Sequence, residues 1–213
     1  EMRRLYDAYG FKHFDFTHDN FTASRKFVSE FCDFMEREDT GGFTWDASSR
    51  ADCLDLSRLE RMHRVGLKGL FFGIETGSER MQKVIKKNLK FDNFEPILRR
   101  CKELCLDVTT SFILGFPEET VEDMDASVHR ALQFESLGAE RVYFSKLTAL
   151  TGTALHQEHV GRFREFSRPS TISPQNYAIP FVQKIIQDHP DLFSSFYHIP
   201  HPGFSAEYLS RFL

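Results

Sequence analysis

No stretch of this sequence is apolar for long enough to cross a bilayer, and no succession of charged, apolar and small residues marks a secretory leader at its start. Excess positive charge is missing too: 27 Lys and Arg stand against 31 Asp and Glu, a net charge of −4. Phosphate binding releases counterions from a basic surface, so membrane-surface and general nucleic-acid roles are disfavoured. Cysteine is scarce. Cys32, Cys53, Cys101 and Cys105 are too few and too scattered to staple 213 residues, and they read as reduced thiols of a cytoplasmic protein. Internal repeats and low-complexity tracts are absent as well. What is present, 41% hydrophobic and 27% charged residues with 23 phenylalanines, is the composition of a globular domain. The chain opens on Glu1 rather than Met and stops at Leu213 after an apolar, helix-like stretch, so it reads as a fragment.

Apolar, β-rich runs recur at residues 12–17, 42–47, 68–74, 107–116 and 141–147, each followed by a helical pattern. Several are apolar on consecutive positions, as parallel strands covered on both faces are. Their starts are roughly 26 to 39 residues apart, the span of a βα repeat, with the longest interval leaving room for a second helix. The expected fold is α/β, either a barrel or an open doubly wound sheet. In both, ligands sit at the carboxyl ends of the strands.

The helices carry start and stop signals. Residues 22–38 place Phe27, Val28, Phe31, Phe34 and Met35 on one face. Asp55 can cap a helix with Leu56, Leu59 and Met62 on its core side and Gly66 at its end. Asp92 with Glu95, and Thr120 with Asp123, resemble capping boxes, and Gly138 closes the helix bearing Met124, Val128 and Leu132. Cys101 and Cys105 could offer two thiolates to a metal, but both fall on the stripe Phe94, Ile97, Leu98, Cys101, Leu104, and the core is the expected place for them. His156 and His159 are three apart with no third ligand evident, so an exposed helix is expected and no metal site. Lys83, Lys86, Lys87 and Lys90 read as a solvated helix surface.

Past about residue 150 the alternation ends, and residues 1–152 and 153–213 are taken as separate parts. Ser173 and Pro174 are expected to start a helix with the face Tyr177, Phe181 and Ile185. Phe193, Phe196, Tyr197, Phe204, Tyr208 and Phe212 continue the aromatic enrichment, and His198 and His201 lie between prolines in expected loops. This part is expected to be a helical flap on the α/β body, or else a wall facing the substrate.

The strand ends supply Asp19 with Asn20, Asp46 with Arg50, Glu75 with Thr76, Gly115 to Glu118, and Lys146 with Thr148. Acids, an arginine and a glycine turn on one rim suit a small zwitterionic ligand with hydroxyls, an amine and a carboxylate.

Three segments carry a family resemblance: FDFTHDNFT (14–22), GIETGSERMQKVIKK (73–87) and SFILGFPEET (111–120). Residues 11 to about 152 resemble the second to sixth strands of the radical S-adenosylmethionine (SAM) superfamily, most nearly its branch with an N-terminal cobalamin-binding domain. The resemblance implies part of a TIM-like (β/α)6 barrel with a C-terminal helical, aromatic-rich extension. In that family the fifth strand holds adenine through GxIxGxxE, matched by Ser111, Ile113, Gly115 and Glu118, with Ser in place of the first Gly. By the same resemblance Glu75, with Thr76, takes the SAM amine or ribose, unless it pairs with Arg50 or a helix N-terminus. Arg50 forks the SAM carboxylate, unless it bridges to Asp46. Asp19 meets the methionine moiety or the substrate, unless it caps a helix.

The resemblance further implies a 4Fe-4S cluster on a CxxxCxxC loop, which none of the four cysteines forms; its ligands are expected upstream of Glu1 and the fragment is expected to be inert. Cobalamin, an electron donor such as flavodoxin or ferredoxin, and a small-molecule or peptide substrate are the partners implied. The rival expectation is a non-catalytic barrel remnant that binds a metabolite or a protein.

Overall fold

A computed structural model describes residues 1–38, 42–166 and 179–209. Five strands, β1 (His13–Phe16), β2 (Thr44–Ser49), β3 (Leu67–Glu75), β4 (Asp107–Leu114) and β5 (Arg141–Lys146), form one sheet in that order. β1 to β4 pair parallel, with Asp15 opposite Asp46, Asp46 opposite Gly69 and Gly69 opposite Asp107. The fold is the expected α/β, with a parallel five-stranded sheet consistent with part of a TIM-like barrel.

Between the strands run α2 (Arg25–Arg37), α3 (Leu56–Arg64), α4 (Glu79–Val84), α5 (Phe91–Glu103) and α6 (Val121–Leu137), after an opening α1 (Met2–Tyr9). Two helices therefore fill the longest interval. Asp55 caps α3 by accepting from the Arg58 amide at 2.9 Å. Thr120 and Asp123 form a reciprocal box: the Thr120 amide donates to the Asp123 carboxylate at 2.9 Å, and the Asp123 amide donates to the Thr120 hydroxyl at 3.3 Å. The expected Asp92–Glu95 box does not form. α5 begins at Phe91 with Lys90 as its uncapped N-cap, which places Asp92 already inside the first turn.

The chain divides into two compact units, Glu1–Phe112 with Ser127–Tyr143, and Ile113–Ala126 with Phe144–Leu213. Phenylalanine dominates the core of the first. Phe72 meets Phe94 edge-on at 4.9 Å, Phe94 meets Phe134 at 5.1 Å, and all three are fully buried, each contributing about 1.5–3 kcal/mol of transfer free energy. Trp45 is likewise sealed among Phe16, Phe21 and Phe31 and donates its indole N–H to the Val65 carbonyl at 3.0 Å. The helix over 22–38 buries Val28, Cys32 and Met35, while Phe27 and Phe34 stay 41% and 53% exposed. Phe34 lines an apolar groove with Met2, Phe16, Phe31, Met35 and Phe43.

In the second unit, α7 (Ala154–Glu158), a two-stranded antiparallel sheet of β6 (Arg164–Glu165) and β7 (Tyr197–His198), α8 (Pro180–Asp188) and α9 (Ala206–Leu209) follow the big sheet. Leu114, Met124 and Leu209 form one buried cluster in it, with Phe144, Phe204 and Tyr208 packed on them. The expected helix start at Ser173–Pro174, with Tyr177, and the aromatic Phe212 lie outside the described residues. His156 and His159 are buried rather than exposed: His156 stacks on Phe163 at 5.0 Å and His159 meets Arg162 at 3.0 Å.

Candidate functional site

In the first unit the rim is built at the ends of β1, β2 and β3. The loop after β1 is laced to the end of β2: the Phe21 amide donates to the Ser48 carbonyl at 2.9 Å, Thr22 and Ser49 share a hydroxyl hydrogen bond of 2.5 Å, and the Arg50 amide donates to Asn20 Oδ1 at 3.3 Å. Ser24 caps α2, accepting from the Phe27 amide at 3.2 Å, which leaves Asp19 exposed on the loop with no capping duty.

Arg50 follows the last residue of β2. Its guanidinium grips Asp52 with two parallel bonds of 3.0 and 2.8 Å and donates a third to the Lys87 carbonyl at 3.1 Å. The fork is the bidentate geometry that makes Arg a carboxylate ligand. It raises the pKa of Arg50 and lowers that of Asp52, burial opposing both shifts. The bridge to Asp46 is not made. β2 continues past Asp46 to Ser49, so Asp46 lies inside the strand and pairs with His13 at 3.1 Å.

Glu75 ends β3 with a left-handed backbone, φ 68°. For a non-glycine residue this conformation costs about 1–3 kcal/mol and persists where the surroundings over-determine it. Its Oε1 accepts from Lys87 Nζ at 2.6 Å; neither Arg50 nor a helix N-terminus takes that place. The pair lies over Gly73, where a Cβ would come within 2.5 Å of the Glu75 carboxylate and 3.2 Å of the Lys87 ammonium. Gly73 is opposite Ser111 in the β3–β4 register, which puts half-buried Ser111 beside the pair's strand. Thr76 turns inward and is fully buried: its hydroxyl accepts from the Ser78 amide at 3.2 Å and meets Ser127 Oγ at 3.3 Å, while Ser127 Oγ accepts from the Gly77 amide at 2.9 Å.

In the second unit β4 ends in the glycine turn. Ile113 is half-buried and Glu118 exposed. Gly115 has φ 100°, and its amide donates to Glu119 Oε2 at 2.6 Å; Glu119 is 1% exposed. A Cβ on Gly115 would stand 3.0 Å from Leu209 Cδ1, a tight contact with the chain's own side chain. His201 lies in a loop, as expected, with its ring flat on Phe204 at 3.7 Å and Nδ1 accepting from the Gly203 amide at 2.9 Å. Burial lowers its pKa against hydrogen bonds to the carbonyls of Glu119 and Pro117, which tie it to the turn.

Lys87 and Glu119 were invisible as site residues in the sequence. Lys87 belongs to a run of lysines that reads as solvated helix, but α4 stops at Val84, and Lys86 and Asn88 turn left-handed, swinging Lys87 to Glu75. Glu119 neighbours the motif glutamate Glu118, and only the turn's geometry tells which of two consecutive carboxylates goes inside.

The four cysteines do not make up a CxxxCxxC spacing. Cys32 and Cys101 are buried, burial pushing the Cys101 thiol up to about 12, and Cys105 is exposed rather than in the core. Among the described residues no group of three His, Cys, Asp or Glu side chains is placed to hold a metal ion. No described helix is long and apolar enough to cross a membrane.

A mainly parallel sheet with helices between its strands belongs to the α/β class, in which ligands bind at the carboxyl ends of the strands. Residues 1–131 match the model of the Radical SAM superfamily, and the chain belongs to that superfamily. It is 29% identical over 155 residues, 73% of this chain and 33% of the other, to the uncharacterized methyltransferase PH0819 of Pyrococcus horikoshii. The chain thus spans about a third of the length of that curated relative. Among solved structures it resembles the radical SAM methyltransferase TsrM of Kitasatospora setae with tryptophan substrate and the SAM analogue aza-SAM bound, at TM-score 0.65 and 18% identity over 95% of this chain and 43% of that one. The cobalamin-dependent SAM radical enzyme OxsB with aqua-cobalamin bound aligns at TM-score 0.51 and 16% identity over 60% of this chain and 20% of that one.

Proposed function

We propose that this chain is the SAM-binding part of a cytoplasmic radical SAM enzyme, cobalamin-associated in its full length, that carries out methyl transfer or another modification of an unactivated carbon. The observation that carries the reading is the Glu75–Lys87 pair beside Arg50 at the ends of neighbouring parallel strands. SAM is a zwitterion with ribose hydroxyls. Glu75 is an acceptor-only group for its amine or hydroxyls, and Lys87 and Arg50 are cations for its carboxylate. Asp19 on the β1 loop, Thr76 through its main chain, Ser111 and Ile113 on β4, and the turn from Gly115 to Glu118 complete the proposed set of contacts, the last three for adenine. In the full-length protein a 4Fe-4S cluster, whose cysteine ligands are proposed to lie upstream of Glu1, would supply one-electron reducing power for SAM cleavage. An electron donor of the flavodoxin or ferredoxin kind feeds it, and the substrate is a small molecule or a peptide.

The test is anaerobic reconstitution of the full-length protein with iron and sulfide, followed by reduction in the presence of SAM. Release of 5'-deoxyadenosine is the expected result, with none from the 213 residues alone. A reconstituted full-length protein that binds SAM nowhere and releases none would leave the barrel as a binding module for a metabolite or protein.

A further inference from the structure

Three of the four non-glycine residues with left-handed backbone among the described residues, Glu75, Lys86 and Asn88, at φ 68°, 58° and 55°, bracket the Glu75–Lys87 pair. Such conformations are held by their surroundings rather than by the residues themselves. One side chain reaches both segments. Gln82, on α4, is 2% exposed, and its Nε2 donates to the carbonyls of Ile74 at 2.9 Å and Thr76 at 2.7 Å, the two that flank Glu75. Its Oε1 accepts from the Leu89 amide at 3.1 Å. Its own carbonyl accepts from the Lys87 and Asn88 amides, both at 3.0 Å.

A primary amide is the one neutral head group with two N–H donors and an acceptor in a single plane, which matches two carbonyls and an amide. Glutamate would face both carbonyls with acceptors alone, and leucine would leave all three groups unmet in a buried place. Gln82 thus joins the end of β3 to the loop after α4 through both its side chain and its main chain.

We infer that Gln82 is the positioning residue of the Glu75–Lys87 pair, the buried amide that sets the carboxylate and the ammonium at the spacing SAM requires. The inference rests on the reading that this rim binds SAM. The Gln82 amide is spent on backbone groups of Ile74, Thr76 and Leu89, so it acts through the two backbone segments that carry the pair.

A double-mutant cycle on SAM affinity in the full-length, cluster-loaded, unreduced protein tests it, using Gln82→Leu, Glu75→Gln and their combination, with iron content and amide hydrogen exchange over residues 84–90 as companion measurements. Gln82→Leu alone is expected to raise the SAM dissociation constant roughly tenfold, the loss of one charge-assisted contact. Added to Glu75→Gln it should change affinity little further, because the pair it positions is already broken. Gln82→Glu, which keeps the acceptor toward Leu89 and loses both donors, should behave as Gln82→Leu does and carries the cycle if the leucine variant fails to fold. Losses that simply add, or faster exchange over 84–90 with wild-type SAM affinity, make Gln82 a fold-holding residue alone and overturn the inference. If Glu75→Gln and Lys87→Met both bind SAM as the wild type does, the SAM reading of the rim fails first and this inference goes with it.

Discussion

The buried carboxylate of Glu119 closes on the amide of Gly115 at 2.6 Å, so the turn that ends the fourth strand is fastened from below by a residue four places on. Glu119→Gln keeps the shape and replaces the buried carboxylate acceptor with an amide. Stability should fall by about 1–3 kcal/mol, read from the midpoint of urea unfolding at constant m-value.

Gly115 itself is constrained twice, by φ 100° and by Leu209 at 3.0 Å from the place a Cβ would occupy. Gly115→Val is expected to destabilise by about 2 kcal/mol or more and to weaken SAM binding in the full-length protein. A variant as stable as the wild type, by calorimetry, would mean that the turn relaxes freely.

Arg50 holds the Asp52 pKa below its ordinary value, chiefly through their hydrogen bonds. A carboxylate whose folded pKa is depressed adds stability above the unfolded value of about 3.8, and that stability is lost as pH falls through the lower folded value. The difference in unfolding free energy between wild type and Asp52→Asn should therefore be present at neutral pH and shrink below about pH 4. A difference that stays constant from neutral pH down into acid would show that the fork is not coupled to folding.

Thiol reactivity should follow burial. Cys105 is exposed and should react first with a maleimide in the native protein, whereas Cys101, pushed up to about 12 by burial, and Cys32 should react only after denaturation. Peptide mass mapping after a short exposure reads the order.

Much of the scaffold could be read from the chain because parallel strands covered on both faces leave near-continuous apolar runs. The segments 68–74 and 107–116 announced β3 and β4 to within a few residues. Strand ends pointed to Arg50 and Glu75, since their position is set by where an apolar run stops. Their partners were another matter. Arg50 takes Asp52 rather than Asp46, and Glu75 takes Lys87, because both choices depend on how far β2 runs and where α4 breaks. Neither limit leaves a periodic mark. The histidines of HQEH misled for a related reason: α7 is only five residues long, and burial of His156 comes from Phe163, outside the helix.

The groove bordered by Phe16, Phe31, Phe34 and Phe43 has a practical corollary. A hydrophobic face of this kind is adhesive in water. Isolated, these 213 residues should bind environment-sensitive dyes while fully native and self-associate as their concentration rises, so light scattering has to accompany any measurement made on them alone.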